Sequence, residues 1–269
     1  MIRITGLVAT CIFFVFENIT AQIDSFYHQP WKNANFPILI DAYQENRINF
    51  NTLSSDKRVK GIIHKASQGF VADQKYVERK RQAAAMNLLF ASYHLGTHED
   101  PVQQADFYLQ IIKEHPNDPM VLDIEDFQYK QHGKGYMPLE NAEKFILRIY
   151  EMTGRYPFIY VNNYVFKEIN EKYDTLSVFA KCPLWYARFI PQLPVLSDKV
   201  WPSVALWQFS SEINCKETGK CLYNVPGTAF DIDVNVFQGT EKELKALWKS
   251  KSAHKKNIKN QKTEPLEEF

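Results

Sequence analysis

Met120-Val121-Leu122-Asp123-Ile124-Glu125-Asp126 is an apolar run of strand length that ends in acid. Its nearly continuous apolar residues suit a strand buried on both faces, as in a parallel sheet. Seven other runs share this character: Ile38–Ala42, Gly61–Ala66, Leu88–Tyr93, Phe158–Val161, Leu184–Ala187, Val204–Phe209 and Ile232–Phe237. Polar residues stand at or near their C-terminal ends, among them Asp41, Lys65, His94, Asn162, Arg188 and Gln208. Helical patterns fill the earlier gaps, over Phe50–Arg58, Asp73–Asn87 with Asp73 as cap, Pro101–Glu114, Leu139–Met152 and Val165–Tyr173. After Arg188 they stop: Phe189–Pro202 holds three prolines, and Ser210–Ala229 reads as a polar loop. Five strand–helix units followed by three loop-joined strands predict a single, TIM-like α/β barrel with an irregular closing segment, not a doubly wound sheet.

The composition agrees with one large core. Of 269 residues, 45% are hydrophobic and 14% aromatic, so the chain can bury enough apolar surface to fold. Lys and Arg total 32 against 31 Asp and Glu, a balance that speaks against a nucleic-acid binder. No apolar run reaches the roughly 18 residues of a membrane span. Leu7–Phe16 is a shorter apolar run followed by Thr20-Ala21-Gln22, which reads as a secretory signal peptide, residues 1–21, cut near Ala21. The expected location is secreted or periplasmic. Residues 22–248 then form the barrel domain, with a last helix over Glu241–Trp248 packed outside the barrel. Residues 249–269 are Lys-rich with few apolar side chains and are expected to be disordered. In an oxidising compartment Cys215 and Cys221 close a small loop; two free thiols fit the sequence equally well. Cys182, before an apolar run, is expected to be a buried thiol.

The acids carry the chemistry. Side chains alternate along a strand, so Asp123 and Glu125 point the same way, with Cα atoms about 6.7 Å apart. Two like charges in a partly dry site raise one pKa and leave one acid protonated beside one ionised. Glycosidic bond cleavage needs that pair; a salt-bridged pair at a strand end is the structural alternative. Asp231, Asp233 and Asn235 share a face of the last run, and Asp41 ends the first. Rings near these ends, such as Tyr43, Tyr93, Tyr160, Trp185, Tyr186 and Trp207, either stack on sugar or pack the core. No GxSxG elbow and no phosphate-binding glycine loop occurs, which speaks against a nucleophilic serine or a nucleotide site, and the lack of a CxxC pair or HExxH helix speaks against a structural zinc site or a zincin.

The motifs together resemble glycoside hydrolase family 25, the lysozymes of the Chalaropsis type, over roughly Ile38 to Gly239. The pieces fall in family order: Ile40-Asp41-Ala42-Tyr43-Gln44, Lys65-Ala66-Ser67-Gln68-Gly69, Tyr93-His94-Leu95, Leu122-Asp123-Ile124-Glu125, Leu184-Trp185-Tyr186-Ala187-Arg188-Phe189, Trp207-Gln208-Phe209-Ser210 and Asp233-Val234-Asn235-Val236-Phe237. The resemblance implies a (β/α)5β3 barrel that cleaves the β-1,4 bond between N-acetylmuramic acid and N-acetylglucosamine in peptidoglycan. It implies Glu125 as general acid and Asp123 as the group that stabilises the acetamido group or the anomeric charge. Asp41 and Asp233 complete the acidic floor, Tyr93, Tyr160, Trp185, Gln208 and Lys65 become candidate substrate contacts, and the resemblance implies no metal and no cofactor. Tyr43, Glu45, Gln68 and Leu95 depart from the family pattern; they bear on subsite shape and remove no core carboxylate. The expected partner is a peptidoglycan glycan strand, met by a monomer. A barrel that holds glycan without cutting it, or cuts another amino-sugar polymer, remains compatible with the same residues.

Overall fold

The computed structural model describes residues 29–125, 137–194, 196, 199–211, 214–215, 221–229 and 232–252. The expected leader, Asp126, Asp231 and residues 253–269 lie outside the described residues. Eight strands close into a barrel: β1 (Ile38–Ala42), β2 (Val59–Gln68), β3 (Leu89–Leu95), β4 (Met120–Ile124), β5 (Phe158–Asn162), β6 (Leu184–Ala187), β7 (Leu206–Ser210) and β8 (Asp233–Val236). Each of β1 to β6 runs parallel to the next. The ring is completed by β8, antiparallel to both β7 and β1.

Helices follow the first five strands, at Phe50–Leu53, Tyr76–Ala85, Pro101–Ile112, Leu139–Thr153 and Asn163–Lys172. Their ends have local causes. Pro101 opens its helix, and the Asp100 side chain accepts from the backbone of Gln103. Asn162 does the same for Tyr164 and Val165, and Gly154, at φ 68°, ends the helix Leu139–Thr153. Asp73 does not cap the helix expected to begin at it. That helix starts at Tyr76, and the Asp73 carboxylate instead accepts the N–H groups of Gln44 and Lys75, tying the loop after β1 to the helix entrance. The first helix is also shorter than its pattern, because the chain turns at Ser54–Arg58 to enter β2 at Val59.

Strand alternation sorts the side chains into two cores. Even-numbered residues of β1, such as Ile38 and Ile40, face the helices together with Ile62, Leu122, Ile159 from β5, and Trp207. The barrel interior holds Leu39, Ile63, Ala91, Tyr93, Val121, Phe158, Tyr160, Trp185 and Leu206. Layers of this kind fill the barrel, so it is a packed core and not a pore.

The direction of β8 places the remaining elements. An antiparallel strand needs no crossover helix, so β7 and β8 are joined by a loop at the mouth, where the parallel strands end. Cys215 and Cys221 in this loop are joined as a disulfide; Cys182 is a buried free thiol beside the carbonyl of Val178. Running back down, β8 delivers the last helix to the opposite end. This helix spans Glu241–Lys251, three residues beyond the expected Trp248, and does not pack on the outer wall. Leu244 and Trp248 join the interior core, and the Trp248 indole N–H donates to the carbonyl of Phe90 at 3.0 Å. Lys60 pairs with Glu241, and Arg155 donates to the carbonyl of Lys251. The helix therefore plugs the bottom of the barrel. A Trp248→Ala substitution opens that plug and is expected to cost about 3–5 kcal/mol of stability. Chemical denaturation of the purified protein measures it; a loss below about 0.5 kcal/mol, the range of surface substitutions, contradicts the plug.

Candidate active site

At the mouth, inward-facing positions of neighbouring strands become acidic. Asp41, near the end of β1, is in register with Asp233 at the start of β8. Asp123 on β4 is in register with Tyr160 on β5. Glu125 follows β4 on the same face, two residues on from Asp123. Lys65 on β2 is in register with Tyr93 on β3. The structure thus brings Asp41, Asp123, Glu125 and Asp233 to one mouth with Lys65 among them: Asp41 feels Asp233 and Glu125, and Asp123 feels Glu125, Asp41 and Asp233.

The electrostatics follow from that crowding. Burial raises the Asp41 carboxyl well above the usual range, and the charges of Asp233 and Glu125 raise it further. Asp123 is raised in the same way, by burial and then by Glu125 and Asp41. Lys65 opposes both shifts. Its ammonium lies 4.6 Å from the ring centre of Tyr43, the tyrosine that departs from the family pattern. Buried oxygens Oδ1 of Asp41 and Oδ1 of Asp123 have no hydrogen-bond partner among the described residues. Such acceptors are unusual in a folded core and fit a surface that awaits a ligand's donors.

Tyrosines and a glutamine tie the acids together. The Tyr160 hydroxyl donates to Oε1 of Gln208 at 2.8 Å and lies 3.5 Å from Oε2 of Glu125. Gln208 in turn donates from Nε2 to Oδ2 of Asp41 at 3.1 Å. Burial, and then the neighbouring carboxylates, hold both Tyr93 and Tyr160 far above the usual phenol range, so they stay neutral donors.

Two of the expected substrate contacts sit lower than the sequence suggested. Trp185 is 1% exposed, packs edge-on against Tyr160 at 4.6 Å, and donates to Oδ1 of Asn235. Gln208 is 0% exposed. Both act on the mouth from beneath it. His64 and His94 lie on the helix-facing side of their strands, and burial lowers each to about 4. His94 is held between Ser67 and Gln104, away from the acids.

Sequence reasoning missed a cavity of about 530 Å³ that adjoins the mouth and shares Lys65 with it. Gln44, Gln68, Phe70, Thr97 and Glu99 line it. It forms because β2 continues into a hairpin with Val71–Ala72, bringing the loop after β3 alongside. Gly69 at φ 52°, within Gln68-Gly69-Phe70, is the turn signal that pointed to it.

Among groups of His, Cys, Asp and Glu in the described residues, none has the arrangement of a metal site. Similar proteins fit this geometry. The chain is 30% identical over 194 residues to "Uncharacterized protein YegX" of Escherichia coli O157:H7, covering 71% of this chain and 63% of that relative. It superposes on a muramidase from Trichobolus zukalii with TM-score 0.61 and 22% identity, covering 80% of this chain and 99% of the other. A bacterial lysozyme from Streptomyces coelicolor gives TM-score 0.62 and 20% identity, with 80% and 98% covered. The sequence model of glycosyl hydrolases family 25 matches residues 40–218, about two thirds of the 269 residues, and ends before β8. The acid-mouthed barrel and that match give one conclusion: the chain belongs to glycosyl hydrolases family 25.

Proposed function

We propose that this protein is an exported peptidoglycan hydrolase that cleaves the β-1,4 bond between N-acetylmuramic acid and N-acetylglucosamine. The observation that carries this reading is the convergence of Asp41, Asp123, Glu125 and Asp233 at one barrel mouth. Family membership and the muramidase and lysozyme among its structural neighbours support it. The apolar run Leu7–Phe16 supports export, which the substrate requires.

In this reading Glu125 donates a proton to the glycosidic oxygen as the bond breaks. Positive charge then builds at the anomeric carbon, and Asp123, 5% exposed and close to Glu125, stabilises it or the neighbouring acetamido group. Asp41 and Asp233 extend the negative field, and Lys65 keeps the cluster from neutralising itself. The cavity beside Lys65 takes a further part of the glycan strand or its substituents.

Incubation of purified peptidoglycan with the full chain and with Glu125→Gln tests the assignment by mass spectrometry of the products. Wild type is expected to release fragments with reducing N-acetylmuramic acid ends, and the variant to be slower by roughly 10²–10⁴-fold. Wild-type rates in Glu125→Gln sink the role of that residue. Co-sedimentation with intact glycan and no fragments favours a barrel that only binds.

Keeping Asp123 where it is has a stability consequence. A carboxyl raised in the folded state contributes stability below its unfolded pKa and loses it as pH rises through the folded value. At pH 7 the Asp123→Asn variant is therefore expected to melt above wild type, with the gap closing as pH falls toward 4. Thermal denaturation at both pH values measures this; a variant less stable than wild type at pH 7 contradicts it.

A further inference from the structure

We propose that the cavity beside the mouth is a subsite for the stem peptide carried by N-acetylmuramic acid, with Lys65 facing a carboxylate of that peptide and Glu99 facing its amine. This rests on the reading of the chain as a muramidase. The cavity holds about 530 Å³, within the roughly 300–1,000 Å³ of ligand pockets. Its walls are the loop after β1, the end of β2 with its hairpin, and the loop after β3.

A slip in strand register builds the wall nearest the acids. Lys65 lies opposite Tyr93, but Ser67 lies opposite His94, so Ala66 is an extra residue in β2. Such a bulge reverses the parity of the residues that follow it. Ser67 turns to the helix side, where its hydroxyl meets Nδ1 of His94 at 2.8 Å. Gln68 comes opposite Leu95, a residue of the interior core, and lines the cavity together with Lys65. Without the bulge Gln68 would face the helices. Among the described residues, the Gln68 amide has no hydrogen-bond partner and the Lys65 ammonium has no ion-pair partner. Lys65 meets only the ring of Tyr43, at 4.6 Å.

Opposite charges mark the two ends. Lys65 stands at the mouth, near enough to Asp41 and Asp123 to favour their charged forms. Glu99 stands on the outer rim, where the Thr97 hydroxyl and then its own backbone N–H hold its carboxyl below the usual range, so it stays charged. Thr97 is fixed in turn, its N–H donating to Oε1 of Gln104 at 3.0 Å. The other acid on this cavity, Asp73, is already committed to the N–H groups of Gln44 and Lys75. Apolar surface lies in the hairpin: Phe70 and Val71 stay exposed, and Phe70 is braced edge-on by Phe107 at 5.8 Å.

The polymer presents groups that match. Its sugars are uncharged; its charges lie on peptides linked through the lactyl group of N-acetylmuramic acid. Such a stem carries methyl side chains, a carboxylate near the sugar and, one residue further out, the side-chain amine of a diamino acid. Cleavage at the mouth puts the muramic ring over Asp123 and Glu125, so its lactyl arm leaves beside Lys65. A cation near the ring, an amide and apolar surface along the wall, and an anion at the rim suit that stem. A neutral sugar would leave Lys65 and Glu99 without a counter-charge. Binding energy gained on the stem can be spent at the bond that breaks.

The test uses three forms of one solubilised peptidoglycan whose stems carry a free diamino-acid amine: intact, with the amines acetylated, and with the stems removed by an amidase. For the full chain, kcat/KM is expected to fall about two- to five-fold on acetylation, the worth of an exposed ion pair. Removal of the stems is expected to cost roughly tenfold or more, because the apolar contacts go with them. Glu99→Gln, at an exposed position, is expected to cut intact and acetylated polymer equally well. Equal kcat/KM on intact and stripped polymer means that the cavity takes sugar or nothing, and overturns the proposal. An acetylation effect that survives Glu99→Gln overturns it too.

If none of the three polymers is cut, the muramidase reading fails, and binding still decides the role of the cavity. Co-sedimentation of the full chain is then expected to weaken from intact to acetylated to stripped polymer. Equal binding to all three overturns the proposal.

Discussion

Asp41 and Asp233 lie directly opposite each other on neighbouring antiparallel strands. Like charges in that position push strands apart, and here they do so in a buried mouth with Asp123 within electrostatic reach of both. The barrel closes at this seam, between its first strand and its last. What holds it is the rest of the ladder, from Ile38 opposite Val236 to Ile40 opposite Val234, and the amide of Gln208 on Asp41. The acids therefore sit where the fold can support them, on the tips of strands whose lower halves are packed with Leu39, Val121 and Phe158.

Strain of this sort is what a catalytic cluster requires. A site of fully paired carboxylates would be more stable and would have no acid left to give. Raised carboxyls at Asp41 and Asp123, and an oxygen on each with no hydrogen-bond partner among the described residues, set the mouth apart from the rest of the core. By contrast, the two buried histidines are neutral and held by their own side of the wall. Burial alone does not make a functional group; here the inward or outward parity of the strand position decides it.

Much of this was legible in the sequence. Continuous apolar runs mark all eight barrel strands, because strands covered on both faces cannot alternate. Acid two residues apart at Asp123 and Glu125 marks one inward face. What could not be read was direction. Nothing local to Asp233–Val236 says that it runs antiparallel, since pairing partners are set by tertiary contacts. The misplacement of the last helix followed from that. Depth was equally hidden: Trp185 and Gln208 belong to motif strands, yet only the three-dimensional layers put them beneath the mouth. The bond between Cys215 and Cys221 was open for the same reason, as spacing alone does not bring two sulfurs together.

The reversed final strand also gives the molecule a front and a back. The chain passes the acids at Asp233, runs down the wall and leaves the described structure at Ser252, under the floor made by Leu244 and Trp248. Anything joined at Ser252 starts from the face opposite the mouth. A tether fixed at Ser252 would leave the acidic mouth turned away from the support.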